Sequence, residues 1–271
     1  MSLLTFLISF SYSLPSIILY FLTIYIILKH RKYFNSSFFI LYIFDGIMNI
    51  FTFLNLFYMM RLSSITCENC LFSFLYKIAD DYVPMTFLMA MTFHMAYVQY
   101  SITALISFNR LPVLWNYTIM EPIWKKFAWL IILIVFALPF LDTYRCFSYK
   151  TEINYDNETN HYQFLSPMPV TLGFQYLLPT MVIITLLSVF INIISLTTIT
   201  CAVQLLGCSL SVARVFLASN PIVKSLSPLI PFVSDGLTLV QPWLLVFFSK
   251  AMRNKLIGMF RTRTSSVNIL Q

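Results

Sequence analysis

Residues 7–28 read LISFSYSLPSIILYFLTIYIIL, and KHRK follows at 29–32. A helix needs about 20 predominantly apolar residues to cross ~30 Å of hydrocarbon, and this run supplies them without one charge. The cationic cluster behind it has the pattern that stops transfer through a membrane. No Lys or Arg precedes the run, and it is too long and too aromatic for the apolar part of a cleaved signal peptide. Six further runs of the same kind follow, at 37–60, 83–108, 127–144, 170–192, 197–218 and 226–248. The expected fold is therefore an all-α membrane protein, a bundle of seven transmembrane helices over residues 1–260 with a short cytoplasmic tail at 261–271.

Composition agrees. Hydrophobic residues make up 59% of the 271 residues and charged ones 10%, against roughly 45–50% and 25% in soluble proteins. Glycine, at 5, is too scarce for phosphate-cradling loops. The net charge of +7 does not point to nucleic acid, because the cations occupy short segments between apolar runs, where cytoplasmic loops collect them. Eleven of the 17 Lys and Arg fall on one set of connecting segments, around 29–32, 110–126 and 250–263. That bias places the N-terminus outside and the C-terminus in the cytoplasm. Of the sequons at Asn35, Asn116 and Asn157, this topology exposes only Asn157 to the glycosylating compartment.

From Tyr162 to Ala213 no residue is charged, which leaves the fifth and sixth runs joined by a tight turn near 195–198. The alternative, a single re-entrant element and six spans, would strand the cations of 250–263 outside.

Acids at bilayer depth cost about 2.5–3.5 kcal/mol on insertion scales, so they face a bundle interior or a hydrated cavity. Asp45 lies ~12 Å into the second run at 1.5 Å per residue, and Asn49 shares its face one turn on. Gln241 lies at similar depth in the seventh run, and Pro242 beside it removes a helix hydrogen bond and predicts a kink. Asp45, Asn49 and Gln241 thus form a polar cluster, either a hydrated hinge or ordinary interhelical bonding. Asp235, deeper in the same run, either meets a ligand or pairs inside the bundle. Arg110, after Asn109, ends the third run, where it either snorkels to headgroups or contributes to a docking face for a transducer. His94 falls near mid-bilayer as a packing or pocket residue, without a companion for a metal site.

No catalytic constellation, cofactor motif or metal cluster stands out, so the protein is expected not to be an enzyme. Cys67, Cys70 and Cys146 all fall outside, and one bridge between Cys146 and either Cys67 or Cys70 is expected, with Cys70–Cys146 preferred.

Several segments carry a family resemblance: FNSSF at 34–38, Asp45, SFNR at 107–110, WKK at 124–126, LPF at 138–140, PFVSD at 231–235, QPW at 241–243, then Ser249, Lys250 and Arg253. In that order and spacing, from about Tyr12 to Phe260, the chain resembles the nematode serpentine receptors of class gamma. The resemblance implies a G-protein-coupled chemosensory receptor in the plasma membrane of sensory neurons, with a small external molecule and a heterotrimeric G protein as partners. It strengthens the signalling reading of Arg110. It also implies a basic cytoplasmic loop between spans five and six, which this chain lacks. His94, Gln175, Tyr176 and Asp235 are the expected ligand-contacting residues, and Asp45, Asn49, Asn109, Arg110, Gln241 and Pro242 the expected switch. The alternatives are a transporter or channel, which should show internal repeats, or a non-signalling receptor remnant.

Overall fold

The computed structural model describes residues 3–70, 72–78, 84–158, 160–169, 174–195, 198–216 and 230–267. Among these, long helices overlie all seven apolar runs: α1 Leu3–Lys29, α2 Ser37–Leu56, α3 Met85–Trp115, α4 Tyr117–Ala137, α5 Leu177–Ser195, α6 Thr198–Phe216 and α7 Ile230–Phe248. The outer ends of the expected third, fifth and seventh runs, the turn at 196–197, Lys224 and the final residues 268–271 lie outside the described residues. Three helical stretches are each long and apolar enough to cross a membrane: Thr5–Lys29, Ser37–Ile65 and Tyr117–Ser148. Phe232–Phe248 and Lys250–Met259 reach that length and hydropathy only when taken together, across a sharp bend, and Leu177–Phe190 is a shorter apolar helix.

The helices close into a bundle around α3, which packs against α2, α4 and α5, while α5 touches α6, α6 touches α7, and α7 returns to α1 and α2. Only 17% of the most apolar window of α4 is buried, so this helix lies on the outside of the bundle. Its Trp129, Leu130 and Leu133 point outward, as expected of side chains whose solvent is lipid. Gly46 lets α1 and α2 approach closely: a Cβ there would meet Ile24 Cδ1 at 3.1 Å and the Tyr20 ring at 3.2 Å. Tyr20 stacks on Tyr42 in the core that α1 shares with α2 and α7.

Two departures from the regular helix matter for function. After Leu56 the backbone widens into a π-helix, Phe57–Leu62, and then tightens into a 3-10 turn, Ser63–Ile65. A π segment offsets the residues beyond it from the preceding helical face, and here Met59, Arg61 and Ser63 are all buried. Arg61, which directly follows the second apolar run, is therefore an interior residue. The second departure lies at Ser249. The expected kink at Pro242 does not interrupt α7, which runs unbroken to Phe248. The chain instead turns 93° at Ser249 into α8, Lys250–Val267. Ser249 Oγ accepts the Met252 N–H at the start of α8, as a helix N-cap does, and Arg253 Nη1 donates to the last carbonyls of α7, Val246 and Phe247. The expected tail from 261 is thus helical as far as Val267.

Between α4 and α5 lies an antiparallel hairpin, β1 Glu152–Asp156 and β2 His161–Leu165, with Glu152 opposite Leu165 and Asp156 opposite His161. Its turn carries Asn160 at φ 56°, a left-handed conformation that Asn tolerates better than most residues. Asn157, the predicted glycan acceptor, is exposed at that turn. The hairpin lies over the end of α2 through the stacked rings of Tyr58, Tyr76 and Tyr162, with Phe164 beside them. Burial pushes the Tyr76 and Tyr162 phenols above their usual range, so both stay uncharged.

The expected Cys70–Cys146 bridge is corrected: Cys67 pairs with Cys70 across a Cα–Cα distance of 5.1 Å. These two are brought together by the short turn after the 3-10 segment. Cys146 is a buried free thiol in the 3-10 turn Tyr144–Ser148, against α3.

Candidate functional site

A cavity of about 470 Å³ opens between α2, α3, α5, α6, α7 and the hairpin, at the hairpin end of the bundle. That is within the ~300–1,000 Å³ of small-molecule sites. Met60, Met89, Phe93, Leu177, Met181 and Leu237 give it an apolar wall, and Phe164 of β2 reaches in from the hairpin. A second space of about 370 Å³ lies beside it under the hairpin, sharing Leu56, Met60, Met89, Thr92 and Phe164. Gly207 on α6 gives Tyr100 its place in the wall: a Cβ would meet the phenol oxygen at 2.9 Å.

Among the described lining residues one carries a full charge, Arg61. Its Nη2 lies 2.5 Å from Asp235 Oδ2 on α7, and both side chains are buried. Tyr12 of α1 donates its phenol proton to the same carboxylate oxygen, and the guanidinium sits 5.4 Å over the Phe53 ring. Three helices meet at this ion pair. Asp235 does not itself border the cavity but holds the side chain that does.

The other predicted ligand contacts lie elsewhere. His94 is fully buried on the far side of α3, where its Nδ1 is 3.0 Å from Thr143 Oγ1. That hydroxyl also donates to the Pro139 carbonyl. Its ring packs 3.9 Å from that of Phe140 and 5.3 Å from that of Phe136. Gln175 and Tyr176 are exposed at the turn before α5 and do not line the cavity.

Below the cavity, the polar cluster expected around Asp45 has different members. Asn49 Nδ2 donates to the Tyr20 phenol at 3.0 Å, and Gln99 Nε2 of α3 donates to Asn49 Oδ1 at 2.8 Å. Gln241 is half-buried outside these bonds, while Trp243 Nε1 donates to Ser16 Oγ across α1 and α7. Asp45 is buried one turn from Asn49.

At the expected cytoplasmic end, Asn109 Nδ2 donates to Ser37 Oγ at 3.0 Å, and Ser37 Oγ donates to Glu121 Oε2 at 2.8 Å. The Ser37 backbone N–H donates to Glu121 Oε1 at 2.6 Å. Ser36, in the N-cap position of α2, makes no side-chain cap, so a carboxylate from α4 caps α2 and meets the positive end of its dipole. Lys125, one turn on, is 3.7 Å from Glu121. Arg110 lies beside this knot with its guanidinium 4.8 Å over the Phe38 ring. Sequence reasoning missed Glu121, although an acid just ahead of Pro122 and an apolar helix was a signal for it.

The family model described as the Srg family chemoreceptor matches residues 6–199 and 192–256. Its two matched segments overlap at 192–199, where α5 ends and α6 begins. The chain is also similar to serpentine receptor class gamma-31 of Caenorhabditis elegans, with 26% identity over 299 residues that cover 97% of this chain and 95% of that protein. Family and relative are receptors rather than enzymes, and their multi-pass membrane setting agrees with the apolar helices. A helical bundle matched over nearly its whole length by one receptor family settles the assignment: the chain belongs to the Srg family of chemoreceptors.

Proposed function

We propose that this chain is a seven-span chemosensory receptor of the sensory-neuron plasma membrane, N-terminus outside, which binds a small external molecule and signals to a heterotrimeric G protein. The observation that carries this reading is the 470 Å³ cavity, with one paired guanidinium in an otherwise apolar wall. Asp235 acts on the ligand through Arg61, and Tyr12 ties that pair to α1. A ligand that displaces Arg61 changes how α1, α2 and α7 are joined. A ligand shifts such an equilibrium only by its difference in affinity for the two states, and a charge pair at a three-helix junction provides one.

Asp45 and Asn49, with Tyr20 and Gln99, link this region to the cytoplasmic half, and Gln241 and Pro242 lie at the corresponding depth of α7. Asn109 and Arg110 form the transducer face together with Glu121. Asn157, exposed on the hairpin, carries the glycan. The domain is residues 1–260, and the rest of α8 runs on to Val267.

The test is expression in cells with a G-protein readout and a panel of small secreted metabolites. Ala96 faces the cavity from α3, so Ala96→Phe should abolish any response found while surface expression persists. A response that survives the filled cavity places the ligand elsewhere. Tags at the two ends should lie on opposite sides of the membrane; tags on the same side end the seven-span reading.

A further inference from the structure

Cations without a counter-charge gather at the end of the bundle away from the hairpin. One face of α8 packs on the end of α1: Met252 is buried there, with Leu256 beside it, in the core that holds Ile26, Ile27 and Phe34. That packing brings together two exposed groups of cations, Lys29, Arg31 and Lys32 after α1, and Lys250, Arg253 and Lys255 on α8. Lys255 Nζ lies 5.8 Å over the Tyr33 ring, which joins the two groups. Arg261 and Arg263 follow on the same helix. No Asp or Glu occurs in residues 1–44 or 236–271, and among the described residues no carboxylate forms an ion pair with any of the six. Glu121, the acid buried at this end, is committed to Ser37 and Lys125. The counter-charge comes from outside the chain.

The neighbours of these cations decide what supplies it. Phe248, Tyr33 and Ile257 are 70%, 66% and 61% exposed among them, and rings and aliphatic groups beside Lys and Arg suit the boundary between headgroups and hydrocarbon. An acidic protein surface would match the charge alone. α7 is apolar to its last residue, and the 93° turn that follows lays α8 across the end of the span instead of projecting it into water. At 3.6 residues per turn, Lys250, Arg253 and Ile257 share the α8 face opposite Met252. We infer that the end of α1 and α8 form a docking surface for an anionic phospholipid leaflet, whose headgroup phosphates supply the counter-charge of the six cations. Clusters of about four to eight Lys or Arg beside a span select such lipids, each cation being worth about fivefold in binding. Lipid charge thus sets how firmly α8 is held.

The experiment uses the full chain purified in nanodiscs of phosphatidylcholine, alone or with about one-fifth phosphatidylserine. Amide hydrogen exchange is followed at residues 250–259 and, as a control, across the hairpin. With phosphatidylserine the 250–259 amides should exchange at least about tenfold more slowly, while the hairpin, which carries Glu152, Asp156 and Glu158, should not change. Raising the salt to about 1 M, where charges are screened beyond ~3 Å, should remove the difference. Lys250→Gln with Lys255→Gln, two exposed positions, should lose most of it at low salt. Equal exchange of 250–259 in the two kinds of disc, slowing that survives the salt, or equal slowing of the hairpin would overturn the inference. Slowing that needs an added heterotrimeric G protein and not the anionic lipid would also overturn it, and would assign the surface to an acidic protein. The wild-type comparison decides even if the variant fails to fold. Both leaflets of the disc are alike, so the result depends neither on which way the receptor faces nor on whether it signals.

Discussion

The hairpin end of the bundle and the opposite end each bury a carboxylate, and they treat it differently. Under the hairpin, Asp235 meets a full countercharge, Arg61, at the edge of a cavity. At the other end, Glu121 meets a helix N-terminus, a hydroxyl and a partly exposed lysine, with side chains packed around it. One charge is neutralised by a partner that also faces empty space, the other by dipoles fixed in the backbone. The first arrangement can be rearranged by a molecule entering the cavity. The second holds α2, α3 and α4 together and changes only if a helix moves.

The sharpest way to break that contrast is to remove half of the Arg61–Asp235 pair. Arg61→Ala leaves Asp235 buried without its cation and should cost about 3–5 kcal/mol, read as a lowered unfolding midpoint and lost surface expression. Replacing both partners with Met and Leu should cost less than either single loss. A cost for Arg61→Ala under about 1 kcal/mol, the value of an exposed pair, would mean that water reaches the pair and the two ends are alike.

At the end away from the hairpin the loss should be smaller. Glu121→Ala removes a charged acceptor from the Ser37 N–H and hydroxyl, and hydrogen bonds to charged groups contribute about 1.5–3 kcal/mol. Glu121→Gln, which keeps an acceptor, should recover part of that in the same unfolding measurement. Equal costs for the two would show that the charge on the α2 dipole matters more than the hydrogen bonds.

Gly207→Ala sharpens the comparison from the cavity side. The added methyl presses on the Tyr100 phenol, the far end of a side chain that has the cavity to move into. Stability should fall by no more than about 1 kcal/mol, at the low end of overpacking costs. Ligand affinity should fall further, because Tyr100 then takes up part of the binding volume. An unchanged affinity would place the ligand away from α6.

The helices were legible because lipid imposes a length and a composition that few soluble segments share; each of the seven runs overlaps a helix, although α4 begins ten residues before the fourth run and α3 ends seven residues past the third. Legibility failed where a side chain's role depends on a partner distant in sequence. Arg61 follows an apolar run and reads as a loop cation; only the π turn and Asp235 make it an interior residue. His94 and Asp235 were both expected in a pocket from depth alone, but depth does not say which way a helix faces, and the two turned out to face Phe140 and Arg61. Cys146 was expected to pair because it lies on the outer side. The nearer match was Cys67 with Cys70, already within reach of each other along the chain.

Arg110 tests the comparison with the least disturbance to the fold. Its guanidinium lies on the Phe38 ring, a contact worth about 0.5–1 kcal/mol when partly exposed, while the neighbouring Asn109–Ser37–Glu121 chain does not involve it. Arg110→Ala should therefore leave the unfolding midpoint nearly unchanged and the ligand-induced stabilisation in nanodiscs intact, yet abolish G-protein activation. Arg110→Lys keeps the charge but loses the planar stacking, and should restore part of the signal if charge meets the transducer. If Arg110→Ala lowers stability as much as Glu121→Ala does, the arginine belongs to the knot rather than to a docking face. If it alters neither stability nor signalling, it faces headgroups, and the transducer surface must be sought at α8, where Lys250, Arg253 and Lys255 follow the 93° turn.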